Sequence, residues 1–470
     1  MESNQSLRDR LTQINAQIAL LEGEQKIIQK KLRSIIYPVL GLPFEVTSKI
    51  FVHCLPGDLE GSEPILNFPR GKPPTPLLLS QICRAWRYVA LQTPKIWAMF
   101  NISLDHWSQN SAPLASARLE YWMDRAGSSL VSLMLHNVNN SATPTSSATL
   151  LPLFRYSRQW QNLGLRLHYR DLATEQFQSA LHRELPALET LQIKSDDSGT
   201  TIIHAFKQAP KLRAVVLEHL PPTLLLLPWS QLTHFRGEWC TGMDCYHVLR
   251  SAVSLVECKF TWVDQEMEET ALLPRHLALK ALHLTGEYVC IHILSILTLP
   301  SLVELDFRDG DGYPYHEEFV SFLSRSHPSL LRLSLHGGAY SRIIYGFPFL
   351  LDLTTLKISE MSVVGILDFS HNLRVRDPAA FLPNLKSFAC SVREPARNHL
   401  IKKIPVIQYG DVADALEFRS GYRLKSFELK LNRQSMRDQL DAYDGDYANN
   451  LRDLLAPPPN FRLNFRDSRL

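Results

Sequence analysis

Pro300-Ser301-Leu302-Val303-Glu304-Leu305-Asp306-Phe307 and Pro328-Ser329-Leu330-Leu331-Arg332-Leu333-Ser334-Leu335 are two copies of one phrase. A leucine opens it, a second follows three residues later, and an apolar side chain stands two residues beyond that. Side chains alternate across a strand with period two, so the last two apolar positions share one face. Reading outward in both directions, the phrase recurs. Pro186-Ala187-Leu188-Glu189-Thr190-Leu191-Gln192-Ile193 is another copy, and more open at Leu212, Leu232, Leu255, Leu279, Leu353, Leu385 and Leu424. Leu130-Val131-Ser132-Leu133-Met134-Leu135 and Trp160-Gln161-Asn162-Leu163-Gly164-Leu165 are earlier copies. Between Leu188 and Leu353 successive openings lie 20 to 28 residues apart, and the last two intervals, of 32 and 39 residues, carry insertions.

A unit this short cannot bury its leucines alone, so the copies must stack on one another. Segments Thr200–Gln208, Cys245–Ser251, Tyr288–Leu297 and Glu317–Ser326 are expected to supply helical turns on the outer side. Phrase and period together resemble the irregular leucine-rich repeats of F-box receptors. The strand residues facing away from the leucines then form a contact surface. Its candidates are Arg236, Lys259, His283, Asp306, Arg332 and Lys357, each read as the strand centre of its repeat, with His336 as a further exposed imidazole.

Upstream, apolar residues fall at alternating steps of four and three: Leu7, Leu11, Ile14, Ile18, Leu21, then Gln25, then Ile28, Leu32 and Ile35. That is a heptad seam with charged flanks, and Gln25 within it is suited to setting register. Gly23 weakens the helix by up to ~1 kcal/mol, and Tyr37-Pro38 ends it, because the residue before a proline is pushed out of helical geometry. Two readings stand: a coiled coil giving a homodimer through residues 7–35, or an amphipathic helix packed on the next domain.

The next segment is Pro38-Val39-Leu40-Gly41-Leu42-Pro43-Phe44-Glu45-Val46-Thr47-Ser48-Lys49-Ile50-Phe51. Pro43 suits a helix's first turn and Glu45 its positive end. A second helix is expected from Thr75-Pro76, with the stripe Leu79, Ile82, Cys83, Trp86, Val89 and Ala90; Thr93-Pro94 opens a short third one with Ile96, Trp97 and Phe100. Leu-Pro-x-Glu-Val-x-x-x-Ile-Phe, then Leu-x-x-Ile-Cys-Arg-x-Trp-Arg-x-Val-Ala, then Thr-Pro-x-Ile-Trp, resembles the F-box, in the subtype common in mushroom-forming fungi. The resemblance covers about a fifth of the chain. It implies binding to the Skp-type adaptor of an SCF ubiquitin ligase, and through it to the cullin scaffold. By motif position the contacts would be Leu42, Pro43, Ile50, Phe51, Cys83, Trp86 and Trp97. Residues 57–75, rich in Pro and Gly, exceed the usual short link, an insertion the fungal subtype tolerates.

The bulk composition is that of an ordinary soluble protein. The 470 residues are 45% hydrophobic and 21% charged, with a net charge of +3, too balanced to mark a nucleic-acid or membrane surface. Seven cysteines, an odd number scattered singly, make no disulfide framework and point to a reducing compartment, cytoplasmic or nuclear. Residues 1–36 lack the features of a signal peptide. Phosphate-loop, nucleophile-elbow and HExxH patterns are all missing. Phe307–Gly312 with Glu318 imitates part of a calcium loop, but Phe307 stands where an aspartate belongs. Cys240, Cys245, His247 and Cys258 match no zinc spacing, and Cys258 is read as an inward apolar residue.

The expectation is an α/β chain in which a helical F-box precedes an irregular leucine-rich-repeat solenoid. Residues 1–36 form the heptad helix, 37–105 the F-box with its insertion, 106–455 the repeat array and 456–470 a tail. Such a chain would be a substrate receptor without chemistry, metal or cofactor. The rival is a ligase-independent scaffold, dimeric through the N-terminal helix.

Overall fold

In the computed structural model the described residues are 4–34, 38–55, 74–103, 112–137, 153–181, 185–195, 199–263, 273–286, 290–308, 316–336, 348–361, 363–392, 424, 426–431 and 461–465. They divide into two compact units, residues 1–101 with 117–129, and residues 102–116 with 130–470. The insertion at 57–75, all but its last two residues, lies outside them, as do the calcium-like Asp309–Gly312 and seam residue Ile35.

The first unit is helical. It contains α1 (Asn4–Ser34), α2 (Phe44–His53), α3 (Thr75–Ile82) and α4 (Arg84–Leu91), with a 3-10 turn over Pro94–Trp97. The expected second helix is two helices. Cys83 between them is extended, at φ −156 and ψ 171, and its Sγ accepts the Trp86 amide at 3.4 Å to start α4. Thr75 is not the cap foreseen for it: Pro74 holds the N-cap position of α3, with no side-chain bond. Thr93 also spends its hydroxyl elsewhere, donating to the Val89 carbonyl at 2.7 Å.

Phe51, Ile96 and Trp97, each 0% exposed, form the core. The Trp97 indole N–H donates to the Ala90 carbonyl at 2.8 Å, which satisfies its one polar atom in the interior. Its ring meets Trp122 at 4.8 Å, and Arg125 lies over it at 5.9 Å. These contacts tie the end of α5 (Ala112–Ala126) to the first unit, so the expected boundary near residue 105 is not a clean cut.

The second unit is built on one sheet. Its strands are β1 (Met99–Ser103, shared across the boundary), β2 (Val131–His136), β3 (Trp160–Arg166), β4 (Thr190–Lys194), β5 (Ala214–Glu218), β6 (His234–Glu238) and β7 (Glu257–Val263). They continue with β8 (Ala281–Gly286), β9 (Glu304–Arg308), β10 (Arg332–His336), β11 (Thr355–Met361), β12 (Ser387–Val392), β13 (Ser426–Leu431) and β14 (Phe461–Phe465). Spatial order equals chain order, and β2 through β14 pair in parallel. A sheet whose neighbours are always consecutive is a one-dimensional stack of repeats.

Each of the ten copies from Leu188 onward starts its strand two residues after the opening leucine. Those leucines are buried, from 0% at Leu188 to 7% at Leu424. Leu130 departs from the pattern at 46% exposed. Within the expected tail, Phe461–Phe465 adds β14 beside β13. Backbone bonds bridge successive repeats just before the strands, such as Val256 N–H to the Thr233 carbonyl and Lys280 N–H to the Val256 carbonyl, both 2.8 Å.

Two apolar ladders run through the sheet. One passes Val215, Phe235, Cys258, Leu282 and Leu305; the other passes Leu217, Gly237, Phe260, Leu284 and Phe307. Gly237 is the gap in the second. A Cβ there would sit 2.6 Å from Cys240 Sγ and 3.0 Å from Phe235, so those side chains fill the space a larger residue would need.

Helices α6 (Tyr169–Leu172), α7 (Glu175–Leu181), α8 (Gly242–Ser251), α9 (Cys290–Ile296), α10 (His316–Ser326) and α11 (Val363–Val375) join strands. Arg325 of α10 donates to the Leu294 and Leu297 carbonyls, at 3.0 and 2.8 Å, and so ties α10 to carbonyls at the end of α9. The helix expected over Thr200–Gln208 does not form. Thr200-Thr201-Ile202-Ile203 is β-branched and poor helix material. Ile203 instead makes an isolated parallel bridge with Leu225.

Candidate functional site

Two surfaces carry the sequence-derived site residues, and each belongs to a different unit. On the first unit, Pro43 caps α2 and Leu42 precedes it. Val46 and Ile50 follow at a helical step of four, which sets them on one stripe of α2. Leu42, Phe44, Val46 and Ile50 are 38 to 43% exposed. The Phe44 ring meets Tyr88 of α4 edge-on at 6.4 Å, and Tyr88 itself is 65% exposed. These side chains leave apolar surface open to solvent on the first unit.

The seven residues assigned to adaptor contact separate by depth. Leu42, Pro43 and Ile50 are exposed, and Cys83 and Trp86 are half-buried. Phe51 and Trp97 are fully buried, so they shape the unit rather than face a partner. Trp86 packs edge-on against Phe51 at 5.1 Å, and its indole N–H finds no acceptor among the described residues.

On the second unit the solvent face of the sheet brings the expected contact residues into one row. Arg236, Lys259, His283, Asp306 and Lys357 align across β6 to β11, with Ser334 completing the row on β10. Arg332 is not a strand centre. It opens β10 and pairs with Glu304 at 2.5 Å in the neighbouring row.

Asp306 sits between two imidazoles. His336 Nε2 is 2.9 Å from one carboxylate oxygen, and His283 Nδ1 is 3.5 Å from the other. Partial burial disfavours the carboxylate. The hydrogen bonds from His283 and His336 outweigh it and hold the Asp306 pKa below the usual carboxylate range. A row of aligned charged groups on a rigid sheet can read the charge pattern of a bound protein.

The sequence reading missed the most prominent feature of this region. His219, Trp239 and Trp262 form a stack, with ring centroids 5.1 and 5.3 Å apart and planes within 16° and 10° of parallel. Trp239 and Trp262 are 52% and 57% exposed. All three residues have positive φ, between 55° and 61°, which bulky side chains rarely adopt. The signal was in the sequence: each stands seven residues after its repeat's opening leucine, at Leu212, Leu232 and Leu255. Glu360, seven after Leu353, has positive φ as well. These four repeats therefore share a left-handed residue at the same place, directly after β5 and β6 and within the bulges of β7 and β11, and aromatic rings at three consecutive repeats fall into register.

The three cysteines of the unmatched zinc set behave as core. Cys240, Cys245 and Cys258 are buried, and burial raises the thiol pKa of Cys245 and Cys258 well above its usual value. Among the described residues no group of His, Cys, Asp or Glu is arranged to hold a metal ion. Among them, too, no helix is long and apolar enough to cross a membrane.

No family model matches the chain. No curated protein matches it either. Among solved structures, the chain is similar to one in a crystal structure of the mouse RP105/MD-1 complex, at 13% identity and a TM-score of 0.30. That likeness covers 72% of this chain and 61% of the other.

Proposed function

We propose that the chain is an F-box substrate receptor of an SCF-type ubiquitin ligase. The first unit would dock on the Skp-type adaptor, and the leucine-rich-repeat sheet would hold a target protein. Ubiquitin transfer would then be a matter of proximity supplied by other subunits. The observation that carries the reading is the ordered three-part motif, together with the exposure of its leading residues. Leu42, Pro43 and Ile50 stand at the surface over a core of Phe51 and Trp97. Apolar side chains left in water on a well-packed unit are what a permanent partner would cover. For the target, the charged row through Asp306 and the stack through Trp239 and Trp262 supply polar and aromatic contacts on one sheet, and tryptophan is a favoured anchor in protein interfaces.

The test is a pull-down of the full chain with purified Skp-type adaptor, comparing wild type with the double variant Leu42→Asp/Ile50→Asp. Both positions are exposed, so the unit should stay folded, which circular dichroism checks. Wild type should bind, and the variant should lose at least about tenfold in affinity, since two interface side chains of this kind together carry more than ~1.4 kcal/mol. Failure of the wild type to bind, or equal binding by the variant, rejects the proposal.

A further inference from the structure

The seam of α1 lies open. Leu11, Ile18 and Leu32 are 49 to 60% exposed, and Leu7, Ile14, Leu21 and Ile28 are 44 to 60% exposed. The reading in which this helix packs its apolar stripe on the following domain is therefore not what the structure shows. A helix of 31 residues is about 46 Å long at 1.5 Å per residue. Four heptads with an uncovered apolar seam meet the length that marks a coiled coil.

We infer that α1 is covered by α1 of a second copy of this chain, parallel and in register, so that the protein is a two-stranded coiled-coil dimer. Numbered as heptads, Leu11, Ile18, Gln25 and Leu32 take the a positions and Leu7, Ile14, Leu21 and Ile28 the d positions. Gly23 falls at f, the outermost position, where its helix cost does not disturb the seam.

Gln25 decides the orientation. In a parallel, in-register pair it faces Gln25 of the second copy, and each amide can donate to and accept from the other. In the antiparallel frame with full overlap it faces Ile14, which leaves a buried amide without a partner, and Arg10 comes to lie beside Lys31. A shifted antiparallel frame sets Arg8 beside Glu22 and Arg10 beside Glu24, but it strands Ile28 and Leu32 in water and sets Gln25 against Leu7. Exposed ion pairs contribute little against that loss of apolar burial. In the parallel frame the flanking neighbours are Arg10 with Asn15, Gln17 with Glu22, and Glu24 with Gln29, so no like charges meet.

The number of strands follows from the central heptad. Ile18 at a and Leu21 at d, next to a polar a residue, are the two-strand arrangement. Leu11 at a with Ile14 at d favours larger bundles, an outcome that the chain mass distinguishes from a dimer. A dimer would present two copies of each binding surface, which raises the effective concentration for any bivalent partner.

Sedimentation equilibrium of the full chain at micromolar concentration should give twice the chain mass. Leu21→Asp should reduce it to one chain. Leu20→Asp carries the same charge and helix cost at a c position outside the seam, and should leave the dimer intact. Orientation is read by Leu7→Cys in a Cys54→Ser background, Cys54 being an exposed thiol; Gln25 stays in place. Mild oxidation should link two chains through residue 7, which the parallel register allows and the fully overlapped antiparallel one, with Leu7 facing Leu32, does not. A single-chain mass for the wild type, a mass of three or four chains, equal dissociation by Leu20→Asp, or no cross-link at residue 7 overturns the inference. None of these outcomes bears on adaptor binding, which is read separately at Leu42 and Ile50.

Discussion

Asp306 shows how a repeat stack makes a site from residues that are ordinary one at a time. His283, Asp306 and His336 stand on three successive strands, and the parallel register brings each imidazole within 3.5 Å of the carboxylate between them. The two imidazoles favour the charged carboxylate, so its folded pKa lies below its unfolded value near ~3.9. A depressed carboxylate contributes stability above the unfolded pKa and loses it as pH falls through the folded one. Asp306→Asn should therefore be less stable than wild type at pH 7, and the gap should close on acidification below pH ~4. The side chain is about a third exposed, so solvent screening keeps the gap well under ~1 kcal/mol. Urea midpoints at pH 7 and pH 3 check this; a gap that is constant across the two rejects it. The row position of Asp306 was legible from the phrase alone. The second imidazole contact was not, because it depends on where the next strand's side chain leans.

At the scale of elements, punctuation decided more than propensity. α8 is opened by a capping box: the Asp244 amide donates to Thr241 Oγ1 at 3.1 Å, and the Thr241 amide donates to Asp244 Oδ2 at 3.0 Å. Asp244 also accepts from Thr223 at 3.3 Å. Thr241→Ala removes the acceptor and should cost ~1 kcal/mol of stability, within ~0.5–2; Thr241→Ser should retain most of it. Denaturant melts of the two variants distinguish them, and equal loss would mean that the methyl group matters rather than the hydroxyl. The expected segment Cys245–Ser251 caught this helix but missed its first turn, since the cap at Thr241 and Asp244 lies one turn ahead of the apolar stripe that marks the helix. At Cys83 the opposite error occurred. A stripe with steps of three and four read as one helix, yet an extended residue can interrupt such a stripe without changing which side chains are apolar.

For the whole molecule the relevant physics is that each repeat meets only its neighbours. Leu305 is 0% exposed in β9, and Leu305→Ala should cost ~2–5 kcal/mol through lost burial and the cavity left behind. The loss should be local in the stack: amide exchange should rise most in β8 to β10 and least in β3 and β4. A uniform rise along the array would show that the repeats unfold as one block. The period-two phrase, the 20–28-residue spacing and the opening leucines were enough to locate ten strands and the parallel stack, because burying an apolar stripe has few solutions and repetition leaves one. The heptad seam was equally plain as a helix. What only the tertiary structure decided is which surface residues meet and which motif residues are covered. Trp239 and Trp262 stack because a left-handed residue recurs at the same place in neighbouring repeats, Phe51 and Trp97 are core while Leu42 and Ile50 are surface, and the α1 seam is left open. Those outcomes depend on distances between residues far apart in the chain, which local periodicity does not encode.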